Sequence, residues 1–274
     1  MGKKVSKGMN KKAGKTKTEN KSFPWKLGVY PLFELLFFIA ANMVDNPLLS
    51  LVFIVVAGVM LSFSIHIFFH ECVHVREEFP MPINIINTIF LGLPFDGYRV
   101  HHYNHHTYAN GLKDFSSTWY IKNGKKIAFS ACRYTFGWLQ QLSKAMQEPK
   151  PFNEKLGDVA VIKARIYPQK LTLFFFCLLL AFIGLKTFIL YFILVYFGWA
   201  FSSLHNYGQH PPIQEELICT YENKLYNRVT FNNGLHWEHH DKPWLSWEQL
   251  EIDKKSSRIN YPHLIQPCFF TRKT

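Results

Sequence analysis

The apolar residues of this chain are concentrated in four runs, which lie at about 27–44, 48–69, 169–185 and 187–204. An α-helix rises ~1.5 Å per residue, so ~20 apolar residues reach across a hydrocarbon core of about 30 Å. The second run is long enough to do this, and the other three come close. The pattern therefore predicts four transmembrane helices.

Short breaks pair these runs into two hairpins. Asp45-Asn46-Pro47 separates the first two runs, and residues 184–186 separate the last two. Glu34 interrupts the first run, and because a carboxylate is costly in lipid we expect it to face protein or water. The fold class predicted is an all-α integral membrane protein with four transmembrane helices in two hairpins.

Two further apolar stretches lie in the long polar segment between the hairpins. Residues 83–95 are too few to span a bilayer and predict an interfacial or re-entrant element. Residues 127–146 mix aromatic and basic side chains, which predicts an amphipathic helix on the membrane surface.

The chain carries 31 Lys and Arg residues and a net charge of +12. At the two short hairpin turns only Lys186 is basic, whereas the other 30 lie in the remaining polar segments. The positive-inside rule therefore places both termini and the long polar segments in the cytoplasm. Because the charge flanks apolar runs, we interpret it as affinity for an anionic membrane face or an acidic protein, not for nucleic acid. Residues 1–26 predict a disordered basic tail.

Histidine is the residue type that points to chemistry. Eleven of the 13 histidines fall within residues 70–74, 101–106, 205–210 and 236–240. The first cluster reads H-x-x-x-H, while the second and the last each contain H-x-x-H-H. Positions i, i+3 and i+4 share one helix face, so each set of imidazoles is expected to point into one volume. Neutral imidazole is a common metal ligand, so the clusters predict a metal site. The five cysteines form no C-x-x-C pair, which argues against a zinc ribbon or a disulfide framework.

These motifs resemble the three histidine boxes of the membrane fatty acid desaturase superfamily. HECVH at 70–74 resembles the first box, HHYNHHTYAN at 101–110 the second, and GLHWEHHDKPW at 234–244 the third. The resemblance covers about residues 28–250 and implies one membrane desaturase-like domain over 27–274. It also implies a cytoplasmic helical cap that holds a histidine-ligated di-iron site.

The resemblance implies a specific set of ligands. The boxes supply eight histidines, and Asn206-Tyr207-Gly208-Gln209-His210 resembles the N-x-x-x-H element that precedes the last box in acyl-CoA desaturases. His210 is then a ninth ligand and Asn206 a ligand through water. The metal ligands predicted from the boxes are His70, His74, His102, His105, His106, His236, His239 and His240. Nine imidazoles exceed what a single ion takes, so two iron ions are expected.

The implied activity is an O2-dependent oxidation of a fatty acyl chain that introduces a double bond, with O2 as co-substrate. Neutral imidazoles do not cancel metal charge, so nearby carboxylates should matter. The candidates are Glu71, Asp96, Glu238 and Asp241, each of which could equally be a surface charge. His101 and His205 could support ligands, His66 is interpreted as a buried polar residue, and His263 as a surface one. No HPGG-type cytochrome b5 motif is present, so electrons are expected from a separate ferredoxin-type or cytochrome b5-type donor.

Three alternatives remain open on the sequence. Pro243-Trp244 and Trp247 after the third box also resemble carotenoid ketolases, so a carotenoid ketolase or hydroxylase, or another lipid hydroxylase, is the main alternative. HECVH also matches the H-E-x-x-H motif of zinc metalloproteases, with Glu71 as general base and Asp96 as third ligand in an intramembrane protease. A metal transporter would need ionisable residues along a path through the membrane, whereas nearly all the histidines lie at one face.

Overall fold

The computed structural model describes residues 24–75, 79–140, 159–214, 217–252 and 259–260. Most of the predicted basic tail, residues 1–23, lies outside this described part of the chain. After a 3-10 turn at Trp25–Gly28, α1 runs from Val29 to Met43. Its partner α2 begins at Pro47, and the side chain of Asn46 caps it by accepting hydrogen bonds from the amides of the second and third helical residues. Pro at the first helical position is compatible with this start, because its missing N–H would have no helical partner there.

The second membrane helix changes its winding before it reaches the first histidine box. Helix α2 (Pro47–Phe63) continues as a π-helix over Ser64–Phe69 and then as α3 over His70–His74. The sequence pattern predicts one regular stripe through 66, 70 and 74. A π-turn adds a residue to the turn and rotates the helix beyond it, a device often found at functional sites.

The second hairpin consists of α7 (Val159–Ile183) and α8 (Leu185–Gln209). Helix α8 packs closely on α2 because small residues face each other at their crossing. A methyl group built on Gly198 would come within 2.4 Å of the Leu61 side chain, and one on Gly58 within 3.3 Å of Phe197 Cβ. Both helices of this hairpin extend further towards the polar segments than the predicted 169–185 and 187–204.

Within the described residues, four helical stretches are long and apolar enough to cross a membrane. They are Trp25–Met43, Pro47–His74, Lys163–Ile183 and Leu185–Gln209. The prediction of an all-α membrane protein with four spanning helices is confirmed.

Polar groups inside these spans have partners. Glu34 is buried, and its Oε2 accepts a hydrogen bond from the Ser64 hydroxyl at 3.1 Å, so it faces protein as expected. At the hairpin turns, the Lys186 ammonium donates to the carbonyls of Asn42 and Val44 at 3.0 and 2.6 Å. A cation at these carbonyls suits the negative end of α1, and it ties the two hairpins together.

The polar segments fold into short elements around the ends of the membrane helices. Helix α4 (Met81–Leu91) is the predicted short apolar element, and α5 (Phe95–Tyr108) carries the second histidine box. Further along lie α9 (Lys224–Val229) and α10 (His236–Asp241), which carries the third box.

The remaining elements of these segments include short strands. The predicted amphipathic helix over 127–146 is wrong at its start, because β1 (Trp119–Lys122) and β2 (Lys125–Ala128) form an antiparallel hairpin there. A turn at Asn123-Gly124 with positive φ at both residues allows this hairpin, and helix α6 follows at Ala131–Phe136. The last part of the predicted helix, residues 141–146, lies outside the described residues. Two-residue strands β3 (Cys219–Thr220) and β4 (Ile259–Asn260) pair in parallel.

Candidate metal centre

A first group of histidines gathers around the end of the second membrane helix. Helix α3 contributes two histidines one turn apart, α5 contributes two more, and α10 contributes one. One ring nitrogen from each lies within 4.8 Å of those of the others. The members of this set, termed group one, are His70, His74, His102, His106 and His239.

A second group lies directly beside the first. It takes one histidine from α5, one from the residue immediately after α8, and two that are one turn apart on α10. Their ring nitrogens also lie within 4.8 Å of one another. The members of this set, termed group two, are His105, His210, His236 and His240. The two groups together contain all nine histidines that the sequence predicted as ligands.

Each H-x-x-H-H box is divided between the two groups, although the sequence predicted that each box serves a single volume. His105 and His106 are adjacent in the chain, yet they belong to different groups with ring centroids 5.9 Å apart. At 3.6 residues per turn, positions i, i+3 and i+4 cover about 100° of the helix surface. That arc is wide enough to face two sites, so α5 and α10 each bridge both groups.

The nitrogen-to-nitrogen distances fit shared ligation of a metal ion. His74 Nε2 lies 2.8 Å from His102 Nε2, and His239 Nε2 lies 3.0 Å from His106 Nε2. In group two, His210 Nε2 and His236 Nε2 are 2.8 Å apart. Two imidazoles bound to one ion at ~2.1 Å and at right angles have nitrogens about 3.0 Å apart. The distances in both groups therefore match neighbouring positions around a single ion.

The protonation state of these imidazoles also suits metal binding. Burial lowers the pKa of His102 and His239 in group one, and of His236 and His240 in group two, well below the usual value. Neighbouring histidines lower these pKa values further, because several imidazolium ions cannot share one small volume. Neutral imidazole is the form that binds metals. The donor set, all nitrogen from neutral rings, fits ions such as iron or zinc.

One carboxylate that the sequence analysis did not name orients a group-two histidine. Asp114 Oδ2 lies 2.8 Å from His105 Nδ1 and also accepts the Asn110 amide at 2.7 Å. Asp114 Oδ1 accepts the Ser116 amide at 2.7 Å. Burial alone raises the pKa of Asp114, but the adjacent His105 imidazole and the hydrogen bonds with His105 and the Asn110 amide lower it more, so the pKa lies below its usual value. His105 Nε2 is buried with no hydrogen-bond partner among the described residues, which leaves it directed to group two as a ligand atom.

The four carboxylates that the sequence singled out have different surroundings. Glu71 and Glu238 are buried, so neither is a surface charge. Glu71 Oε1 accepts the Trp247 amide at 3.3 Å, and Glu238 accepts a hydrogen bond from the Thr220 hydroxyl. Asp241, at the end of α10, is partly buried.

Asp96 has a structural role at the start of α5. Its carboxylate accepts hydrogen bonds from the Arg165 guanidinium at 3.2 Å and from Asn84 at 3.2 Å, and it lies 3.6 Å from Arg99. It is absent from the groups formed around His70 and His74. The zinc-protease alternative needs Asp96 as third ligand, so the geometry argues against it.

The other histidines near the boxes are placed away from the two groups. His66 Nε2 lies 2.9 Å from the Ser202 hydroxyl, and its ring is 4.1 Å from that of His205. His205 in turn lies 2.8 Å from the Tyr226 hydroxyl. His101 contacts the Ser116 hydroxyl at 3.2 Å. These three histidines thus have polar partners outside the two groups, and His263 lies outside the described residues.

Asn206 lies in the last turn of α8. Its amide nitrogen donates to the Tyr134 hydroxyl at 2.6 Å and to the Ser116 carbonyl at 3.3 Å. It belongs to neither histidine group, and its role as a ligand through water stays a prediction.

A cavity of about 520 Å³ borders the histidines of both groups. Histidines of both groups form part of its lining, and aromatic residues of α5, α6 and α8 form much of the rest. Its volume is within the range of small-molecule sites, which are mostly apolar with a few polar groups. The lining includes Tyr98, Tyr134, Trp138, Trp199, His70, His102, His105 and His236.

One comparison with known proteins matches most of the chain. A family model described as fatty acid desaturase matches residues 46–266, which is more than half of the 274-residue chain and includes all nine grouped histidines. No curated protein and no solved structure gives a significant match. The chain belongs to the fatty acid desaturase family.

Proposed function

We propose that this multi-pass membrane oxidoreductase uses O2 to introduce a double bond into a fatty acyl chain. The observation that carries the proposal is the meeting of two adjacent histidine groups with one largely apolar cavity. Group one and group two would each hold one iron ion, with His70, His102, His105 and His236 lying closest to the cavity. When bound, iron of this kind supplies the activation of O2 and the removal of hydrogen from an unactivated C–H bond.

The protein's own contribution begins with the orientation of ligands. Asp114 holds the proton of His105 on Nδ1, so that Nε2 carries the lone pair offered to the metal. Helices α5 and α10 each place histidines in both groups, so two rigid elements would hold the two ions next to each other. A site built on helices holds its ligands more accurately than one built on loops.

The cavity would bind and position the acyl chain. Trp138 and Trp199 stack with ring centroids 5.7 Å apart and line it, and the Trp199 indole donates to the Leu91 carbonyl at 2.8 Å. These rings are fixed by their own contacts, so they exclude water and limit where the chain can lie. Which carbon is presented to the histidines would then decide the position of oxidation.

The electrons are proposed to come from a separate donor of the ferredoxin or cytochrome b5 type. The four cysteines of the described residues are free thiols and do not form a cluster. We further propose that the histidine groups and both termini face the cytoplasm, because nearly all the basic residues flank that side of the spans. The disordered tail over 1–26 and the single domain over 27–274 remain predictions.

The test is expression of the chain in a host grown under air, followed by profiling of its lipids and pigments. We expect new unsaturated acyl chains, their loss in His105→Ala and His239→Ala, and no change in the control Cys132→Ser, whose thiol is exposed. New hydroxylated lipids would assign a lipid hydroxylase instead, and oxidised carotenoids would assign a ketolase or hydroxylase. Elemental analysis should find two irons per chain. One zinc per chain, with activity that survives both histidine substitutions, would contradict the proposal.

A further inference from the structure

The cavity opens along one face of α7. Lys163, Ile166, Tyr167 and Lys170 line it, and their spacing of three, four and seven residues places them on one side of a helix. Tyr167 is 63% exposed, and both lysines are exposed. The grouped histidines that line the same cavity are buried. The cavity therefore runs from an exposed, basic edge on α7 to the buried metal-binding histidines.

The charge of this edge is unbalanced within the cavity. Among the described residues that line it there are two lysines and no Asp or Glu. Asp96, the acidic residue of α5 beside α7, already pairs with Arg165 of α7 and with Arg99. An anionic group at the edge of the cavity would therefore meet two ammonium groups and no opposing carboxylate from its lining.

The position of the two lysines fits a head group at the membrane surface. Lys163 is the first residue of the third candidate span, Lys163–Ile183, so we expect it near the boundary between water and lipid. Lys170 is two turns further along, about 10.5 Å at 1.5 Å per residue, and its long stem can extend towards the same boundary. Two flexible cations at this separation can bracket one phosphate, for which lysine is a common partner.

We propose that Lys163 and Lys170 bind the phosphate of an acyl substrate whose chain fills the cavity. This inference rests on the proposed function and adds the head-group class to it: an acyl chain joined to an anionic, phosphate-bearing group. Such a group is found in membrane phospholipids and in phosphopantetheine-linked acyl thioesters. A neutral acyl lipid would leave both lysines without an anion.

Photo-cross-linking in lipid nanodiscs of neutral lipid tests the site without relying on activity. The probes share one chain with a diazirine near its end and differ in the head: phosphatidylglycerol, acyl-coenzyme A or diacylglycerol. Cross-links are mapped by mass spectrometry to the peptides that contain Trp138 and Trp199. The test variant is Lys163→Gln/Lys170→Gln, the rescue variant is Lys163→Arg/Lys170→Arg, and the control is Lys122→Gln/Lys125→Gln, which removes the same charge from the exposed β1–β2 turn.

We expect a phosphate-bearing probe to label the cavity about tenfold more than diacylglycerol, since each lysine near a membrane surface adds roughly a fewfold preference for an anion. The double Gln variant should lose this preference, while the Arg variant and the hairpin control keep it. The arm that labels best, phosphatidylglycerol or acyl-coenzyme A, identifies the source of the phosphate. Equal labelling by all probes, unchanged in the Gln variant, would overturn the head-group site while leaving the acyl substrate intact. Absence of any acyl labelling at Trp138 or Trp199 would instead contradict the proposed function.

Discussion

The Nδ1 atom of His105 lies 2.8 Å from the Oδ2 atom of Asp114, whose side chain is completely enclosed by protein. The two residues are nine positions apart, and the chain between them reverses direction at Ala109 and Asn110, which both have positive φ. The Asn110 side chain then accepts from Thr118, so the loop is held at both ends. One buried carboxylate thus fixes both the tautomer and the direction of a histidine in group two.

Asp114→Asn should weaken metal binding at group two. The amide keeps the shape of the carboxylate but lacks the charge that favours a proton on His105 Nδ1. Loss of such an outer partner typically costs ~10–100-fold in metal affinity or activity. Titration with a chelator should show one of two irons released at lower chelator concentration. Asp45→Asn, at an exposed turn, is the matched control and should retain both irons. Simultaneous and equal loss of both irons would contradict this assignment.

Glu71→Gln and His240→Ala distinguish an oxidase from a zinc protease. A protease needs Glu71 as general base, so the Gln variant would abolish its activity, and His240 would be dispensable. In the proposed oxidase His240 is a ligand in group two, whereas Glu71 accepts the Trp247 backbone amide. We therefore expect His240→Ala to abolish oxidation and Glu71→Gln to weaken it by ~10–100-fold at most. The two variants are measured in the same lipid-oxidation assay. If Glu71→Gln abolishes activity while His240→Ala leaves it unchanged, the oxidase assignment is wrong.

Much of this architecture could be predicted from the sequence, because the length of an apolar run and the spacing of histidines are local properties of the chain. The four apolar runs predicted the spans, and Asp45-Asn46-Pro47 predicted the break between the first two, where the structure begins α2 at Pro47. The histidine boxes predicted eight ligands and the N-x-x-x-H element predicted His210 as a ninth, and the structure gathers all nine within two groups. Each of these features depends on neighbours within one or two turns.

The features that the sequence did not predict depend on long-range geometry. The π-helix over Ser64–Phe69 leaves no mark in the apolar pattern, yet it separates His66 from the histidines of the first box. The division of each box between two groups depends on where α5 and α10 meet. Asp114 is an ordinary residue of a polar loop until the turn at Asn110 brings it to His105. The signal that could have found it is the requirement that a buried ligand histidine has a partner at its second nitrogen.

Gly198→Ala should destabilise the packing of α8 on α2. The added methyl carbon would lie 2.4 Å from Leu61 Cδ2, well inside van der Waals contact, so one of the two helices must shift. Overpacking of this kind typically costs about 1–3 kcal/mol. Thermal unfolding in detergent, followed by tryptophan fluorescence, should show a lower midpoint. Adding Leu61→Ala should recover part of the loss, and Gly28→Ala, where a methyl meets nothing within 4 Å, is the control. A midpoint unchanged by Gly198→Ala would show that the helices do not cross this closely.

Reporter fusions test the proposed orientation. Of the 31 Lys and Arg residues, only Lys186 lies in one of the two short turns between the predicted spans, and such an asymmetry sets topology. We expect a reporter fused after Thr274 to read as cytoplasmic and one inserted near Asn46 to read as external. Because Lys186 is the single basic residue at the two turns, Lys186→Gln should not invert the result. An external reading at Thr274 would overturn the four-span arrangement.

The metal-free protein should lose stability as the pH falls below about 6.5. Burial lowers the pKa of His102, His236, His239 and His240 well below the usual value of 6.5, so these rings stay neutral in the folded protein. In the unfolded chain these histidines take up protons near pH 6.5. The unfolded state then binds more protons than the folded state, so it becomes more stable relative to the folded state as the pH decreases. Their contribution to stability is therefore fully present above pH 6.5 and is lost as pH falls towards the depressed pKa values.

Unfolding midpoints of chelator-treated protein, measured between pH 8 and pH 5, check this sign. That window lies above the ordinary pKa of carboxylates, so Asp and Glu contribute little to the change. We expect the unfolding midpoint of the metal-free protein to be constant above about pH 7 and to fall steadily at lower pH. Iron-loaded protein should begin to fall only at a lower pH, because protons must then compete with bound metal for the same nitrogens. An unfolding midpoint that does not change with pH in the metal-free protein would mean that the fold does not hold these histidines neutral. If iron leaves the dependence of the midpoint on pH unchanged, the histidine nitrogens are not ligands of the iron.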